Sequence, residues 1–141
     1  MSGGEVLIRG GWVVAMDDAG TEGLRDVRVA NGRIVEVSEV GQALVAGAAR
    51  VLDASGCAVL PGFVQTHVHL CQTLFRNLAD DRALLEWLAE RVWPLEASHT
   101  AASLRASADL GIAELLLGGT TAIVDMGTVH HTSSVFEALA A

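Results

Sequence analysis

Between positions 5 and 60 the apolar residues alternate with polar ones or come in short runs cut apart by glycine and asparagine. Val6-Leu7-Ile8, Trp12-Val13-Val14, Val27-Arg28-Val29, Ile34-Val35-Glu36-Val37, Val51-Leu52 and Ala58-Val59-Leu60 each read as a β-strand. Gly10-Gly11 separates the first two, and Asn31-Gly32 predicts a tight hairpin because both residues tolerate positive φ. The stretch is predicted to be a small antiparallel β unit. Residues 41–49, small and flexible in composition, read as a loop, although a short helix would fit.

At Pro61-Gly62 the pattern changes to strand, helix, helix, strand, the mark of an α/β architecture. Residues 63–69 form a near-continuous apolar strand. A helix follows with Leu84, Leu85, Leu88 and Val92 on its apolar face, capped by Asp80-Asp81 and ended by Pro94. Thr100 starts a second helix that places Leu104, Ala108, Ile112 and Leu115 on one face, and Gly118-Gly119 supplies its left-handed terminus. Residues 120–126 read as a buried parallel strand, and another helix begins at Ser133-Ser134.

Composition narrows the function classes. The chain has 141 residues, and with 51% hydrophobic and 18% charged residues it is not disordered. Its nine basic residues are all arginine, and the formal net charge of −8 leaves no cationic surface to neutralise a phosphate backbone, so nucleic acid is not an expected partner. Residues 54–75 carry no charge, yet Pro61-Gly62 and Gln65-Thr66-His67 interrupt them, so no membrane span is expected. Two cysteines, Cys57 and Cys71, offer no disulfide framework, and the N-terminus lacks the basic start and unbroken apolar run of a secretory signal. A soluble, cytoplasmic protein is expected.

The chemistry concentrates at His67 and His69. Two residues apart on a strand, both imidazoles project to one side, about 7 Å apart along the backbone, and together they can chelate a metal ion. The alternative is a polar face on which each ring is satisfied by a hydrogen bond. The pair's position at the end of a strand that follows a Pro-Gly turn favours the metal, because parallel barrels gather functional groups at strand C-terminal ends. Cys71 has no basic partner spaced to activate it and reads as a packing residue.

The run Pro61-Gly62-Phe63-Val64-Gln65-Thr66-His67-Val68-His69 resembles the first-strand signature of the amidohydrolase superfamily, metal-dependent hydrolases built on a (β/α)8 barrel. Leu74-Phe75-Arg76-Asn77-Leu78-Ala79-Asp80-Asp81, Leu85-Glu86-Trp87-Leu88 and Val92-Trp93-Pro94-Leu95-Glu96 are similar to its methylthioadenosine/S-adenosylhomocysteine deaminase, 5′-deoxyadenosine deaminase and s-triazine hydrolase subgroup. Gly118-Gly119-Thr120-Thr121 and Asp125-Met126 match the subgroup's second barrel strand. The resemblance implies that His67 and His69 are metal ligands, with zinc the first choice and iron also suited. It further implies that Glu96 accepts hydrogen bonds from ribose hydroxyls and that Trp87 lines the same pocket. By themselves, Glu96 would read as a solvated charge and Trp87 as a core residue. The chain departs from the methylthioadenosine type at Leu70-Cys71-Gln72, where Gln72 stands close enough to the metal pair to hydrogen-bond a purine or triazine edge. His99 reads as a surface or capping residue, His130 and His131 follow the second strand where either ring could reach a barrel-mouth pocket, and Asp125 reads as a structural acceptor at its strand end.

The implied fold is the start of a metal-dependent (β/α)8 barrel preceded by a small antiparallel β domain. Residues 1–60 would be the N-terminal part of a β-sandwich, and residues 61–141 the first two βα units of the barrel. A barrel needs about 250 residues, so the chain reads as incomplete, with the family's catalytic acid and base and its remaining metal ligands outside it. The implied activity is hydrolytic deamination of an adenosine-like nucleoside by a homo-oligomeric enzyme whose partner is a small purine nucleoside or related heterocycle. The alternatives are an s-triazine or free-base aminohydrolase or chlorohydrolase, and a non-catalytic interaction module.

Overall fold

Gly10-Gly11 bends a strand without ending it. In the computed structural model, which describes residues 4–43 and 50–141, β1 (Val6–Val14) runs through both glycines, with a register shift between Ile8 and Gly11. Gly10 adopts φ +69°, and its N–H donates to Asp26 Oδ1 at 2.9 Å. The separation expected at this point is therefore a bulge: glycine tolerates the left-handed backbone, and a side chain takes the N–H that the ladder releases. A Cβ on Gly11 would lie 2.5 Å from Val59 Cγ2, so the missing side chain is what lets the neighbouring strand approach.

β2 (Glu22–Ala30) pairs antiparallel with β1, and β3 (Arg33–Ser38) returns along β2 through Asn31 and Gly32, whose φ values are +52° and +73°. Positive φ at both central residues is the condition for a turn whose twist matches that of the strands. The expectation of an antiparallel unit fails on the other side of β1. There β4 (Arg50–Asp53) and β5 (Ala58–Val59) both run parallel to it, giving a mixed sheet in the order β3-β2-β1-β4 with β5 also on β1. Asp26 is buried in this unit and accepts from the Gly41 N–H at 2.8 Å as well as from Gly10. Most of the loop expected over residues 41–49 lies outside the described residues.

The chain divides into two compact units, Met1–Pro61 and Gly62–Ala141. In the second, β6 (Phe63–Val68) and β7 (Thr120–Asp125) pair in parallel. A Cβ on Gly62 would lie 2.2 Å from Thr121 Oγ1, so the two strand starts meet at a glycine. A 3-10 helix, Leu70–Phe75, follows β6 directly. Residues 84–97 then form one helical stretch: α1 (Leu84–Trp87), a π turn (Leu88–Val92) and α2 (Trp93–Ala97).

Three expectations for this stretch are corrected. The N-cap is Ala83, not Asp80 or Asp81. Leu84 and Leu85 are exposed, while Val92 is buried. Pro94 does not end the helix: Trp93 N–H reaches back five residues to Leu88 O, and Pro94 sits in the first turn of α2, where a missing N–H costs little.

α3 (Ala101–Leu117) begins at Thr100, whose side chain accepts from Ser103 N–H while Ser103 Oγ accepts from Thr100 N–H. Gly119, at φ +82°, turns the chain after it into β7. Leu104 and Ala108 of α3 are fully buried against Leu70, Cys71 and, from α4 (Thr132–Leu139), Val135 and Ala138. Ile112 and Leu115 flank this core. β7 is parallel as expected but not buried: of its residues only Thr120 is, and Val124 is half exposed, because among the described residues the sheet has just two strands and α3 and α4 cover little of it. Among the described residues, no helix is long and apolar enough to cross a membrane.

Candidate active site

β6 carries His67 near its end, and His69 follows the strand's last residue. Strand alternation turns both rings to one side, and their Nε2 atoms lie 3.1 Å apart with ring centroids at 5.1 Å. Two nitrogens at that separation can each lie about 2.0–2.1 Å from a common point, the zinc–imidazole distance. The donor set therefore fits a divalent metal. His67 is exposed and His69 half-buried, with His69 Nδ1 buried and without a hydrogen-bond partner among the described residues.

The backbone after His69 is held from β7. Asp125 Oδ1 accepts the Leu70 N–H at 2.9 Å, and Oδ2 accepts the Gly127 N–H at 3.0 Å. The Met126 N–H donates to Val68 O at 2.8 Å. Asp125 thus anchors the segment that carries the histidines. His99, expected at the surface, is buried: its Nε2 lies 2.7 Å from Cys71 O and its Nδ1 2.9 Å from Ser103 Oγ. A carbonyl only accepts, so Nε2 carries the hydrogen and the ring pins the 3-10 helix to the start of α3. The Phe75 ring lies against it, with centroids 4.7 Å apart.

Glu96 is not a solvated charge. It is 7% exposed, at the end of α2, and its Oε1 accepts from Gln72 Nε2 at 2.8 Å. The Cys71 thiol lies 3.4 Å from the same oxygen and 3.2 Å from Gly127 O. Burial, followed by the Glu96 charge, pushes the Cys71 thiol up to about 12, so it stays protonated. Ligand atoms of His69, Cys71 and Glu96 lie within 4.8 Å of one another. A metal there would need the thiolate of a fully buried cysteine, and the trio is better described as a hydrogen-bonded cluster beside the histidine pair.

Two clefts open on His69 and Gln72. The larger, about 640 Å³, is also lined by Gln65, Trp87 and Leu95. The smaller, about 290 Å³, is lined by Trp93, Glu96, Met126 and Thr128. Trp87 stands on the larger cleft and Glu96 on the smaller, and the two clefts share His69, Gln72 and Val92. Trp93, three residues before Glu96 and hence on the same helix face, lines the smaller cleft with it. That i, i+3 spacing was the available signal for it. His130 and His131 are exposed and lie on neither cleft.

The model of the amidohydrolase family matches residues 58–141. The chain belongs to the amidohydrolase family. This amidohydrolase is 42% identical over 125 residues to the 5′-deoxyadenosine deaminase of Methanococcoides burtonii, an alignment covering 86% of the chain and 28% of that relative. It is 44% identical over 105 residues to the 5-methylthioadenosine/S-adenosylhomocysteine deaminase of Natronomonas pharaonis, covering 72% of the chain and 24% of the relative. The chain thus spans about a quarter of the length of these curated relatives. Among solved structures, an adenosine deaminase from Xanthomonas campestris with bound zinc superposes with a TM-score of 0.86 at 32% identity, covering 97% of this chain and 31% of that one.

Proposed function

We propose that the whole protein is a metal-dependent hydrolase of carbon–nitrogen bonds other than peptide bonds, and that it deaminates an adenosine-like nucleoside with release of ammonia. The substrate class comprises 5′-deoxyadenosine, methylthioadenosine and S-adenosylhomocysteine. The observation that carries this reading is Glu96: a buried carboxylate beside a metal-competent histidine, with one oxygen held by Gln72. A carboxylate so placed is a strong acceptor for a ribose diol. The names of the relatives and the bound zinc of the Xanthomonas structure support the same reading.

In this reading β6 and β7 are the first two strands of a (β/α)8 barrel, and the N-terminal sheet belongs to a small β-sandwich domain. His67 and His69 hold the metal through Nε2, with zinc favoured and iron compatible with the same nitrogen donors. When bound, the metal supplies Lewis acidity and activates water at neutral pH. Asp125 and His99 fix the backbone on which the ligands and Gln72 sit. Trp87 on the larger cleft and Trp93 beside Glu96 on the smaller offer apolar faces to the substrate. Gln72, which borders both clefts, lies within reach of a bound heterocycle.

The experiment is an ammonia-release assay of the whole protein on 5′-deoxyadenosine, methylthioadenosine, S-adenosylhomocysteine, guanine and triazines. Turnover of the nucleosides, with KM raised about tenfold or more by Glu96→Ala, is the expected result. Activity confined to free bases or triazines, untouched by Glu96→Ala, overturns it.

A further inference from the structure

The two residues after His69-Leu70 converge on one atom. Gln72 Nε2 and the Cys71 thiol both approach Glu96 Oε1, at 2.8 and 3.4 Å, while Oε2 accepts no hydrogen bond from the described residues. Oε2 is also not among the buried polar atoms without a partner, so it is not fully sealed from solvent, and Glu96 lines the smaller cleft. A free glutamate on a helix end samples rotamers about three side-chain bonds, and ordering it on ligand binding would weaken affinity. Here one oxygen is already occupied by an amide donor carried on the 3-10 helix, and the His99 ring holds the carbonyl of the intervening Cys71 at 2.7 Å.

We propose that Gln72 is a positioning residue for Glu96: its amide clamps Oε1 so that Oε2 is presented, pre-oriented, to a vicinal diol in the cleft. The inference rests on the reading of Glu96 as the diol acceptor. It gives Gln72 a role additional to contact with the heterocycle, for which the amide keeps its second N–H and its carbonyl oxygen. Gln72 would then set the preference for a nucleoside carrying both ribose hydroxyls over one lacking them. Phe75 and Ser103 act one step further out, through the His99 ring.

The test uses the metal-loaded whole protein and a matched pair, adenosine as substrate and 2′,3′-dideoxyadenosine as competing substrate or inhibitor. Glu96→Ala should abolish most of the preference for adenosine. Gln72→Leu should lower that preference about tenfold, chiefly through KM for adenosine rather than kcat. In the Glu96→Ala background, Gln72→Leu should lower it no further. Zinc content and circular dichroism report folding, and Gln72→Met replaces Gln72→Leu if the branched side chain does not fold.

The outcomes separate the two layers. If Glu96→Ala leaves the preference intact, the diol reading of Glu96 falls and the positioning role with it. If Glu96→Ala removes the preference but Gln72→Leu and Gln72→Met do not reduce it, the positioning role alone is overturned. A Gln72 substitution that weakens adenosine and its dideoxy analogue equally, or whose effect adds fully to that of Glu96→Ala, assigns Gln72 to direct substrate contact and also overturns the proposal.

Discussion

The Asp125 carboxylate accepts the Leu70 backbone N–H at 2.9 Å and so ties the end of β7 to the residue that follows His69. With its second oxygen it accepts the Gly127 N–H, so one side chain organises both strand ends. Asp125→Ala leaves two N–H groups without acceptors and is expected to cost about 2 kcal/mol in urea unfolding. Asp125→Asn, which keeps one carbonyl oxygen, should lose less. Zinc titration should show weaker binding in the alanine variant, because the backbone that sets the spacing of His67 and His69 is released.

The histidine pair makes its own prediction. His67→Ala and His69→Ala in the whole protein should each lower zinc affinity by more than the roughly 10–100-fold that loss of an outer partner produces. Elemental analysis of the purified variants checks this without reference to activity. Glu96→Ala should retain its zinc, since Glu96 is engaged by Gln72 and not by the pair.

Asp26 is the structural centre of the N-terminal sheet. It is almost fully buried and accepts from Gly10 N–H at 2.9 Å and Gly41 N–H at 2.8 Å. Asp26→Ala orphans both donors and is expected to destabilise this unit by about 3 kcal/mol, read from chemical denaturation. Asp26→Asn should lie between the two, as one of its two terminal atoms becomes a donor that faces another N–H.

The two cysteines should differ sharply towards alkylation. Cys57 is exposed, whereas Cys71 is fully buried with its thiol held protonated to about pH 12 by burial and the Glu96 charge. At pH 8 an iodoacetamide reaction followed by peptide mass spectrometry should therefore find Cys57 modified and Cys71 unmodified in the native protein. Cys57→Ser should remove the label at that position, and Cys71 should be labelled only on denaturation.

Features whose cause lies within a few residues were legible. Asn31-Gly32 makes its hairpin because both residues accept positive φ, and Thr100 starts α3 because its side chain reaches the Ser103 N–H. The α3 face of Leu104, Ala108, Ile112 and Leu115 follows from the helical repeat, and all four meet the core. The facing of His67 and His69 follows from strand alternation. Local rules misled where a partner far along the chain intervened. Gly10 continues a strand because Asp26 supplies its acceptor, and Pro94 is absorbed by a π turn that no propensity announces.

The sequence by itself determined the local geometry of this protein: its turns, the capping of α3, the strand carrying two histidines on one side, and membership of the amidohydrolase family, which its motifs already carried. Only the tertiary structure decided that β4 and β5 lie parallel to β1, that His99 is buried under Cys71, and that Gln72 clamps Glu96. The reason is one of range. Backbone sterics and caps act over three or four residues, whereas the Gln72–Glu96 and His99–Cys71 bonds join positions 24 and 28 apart. Whether a carboxylate so far from its donor is solvated or clamped depends on how the 3-10 helix, α2 and α3 pack, and no window of the sequence contains that arrangement.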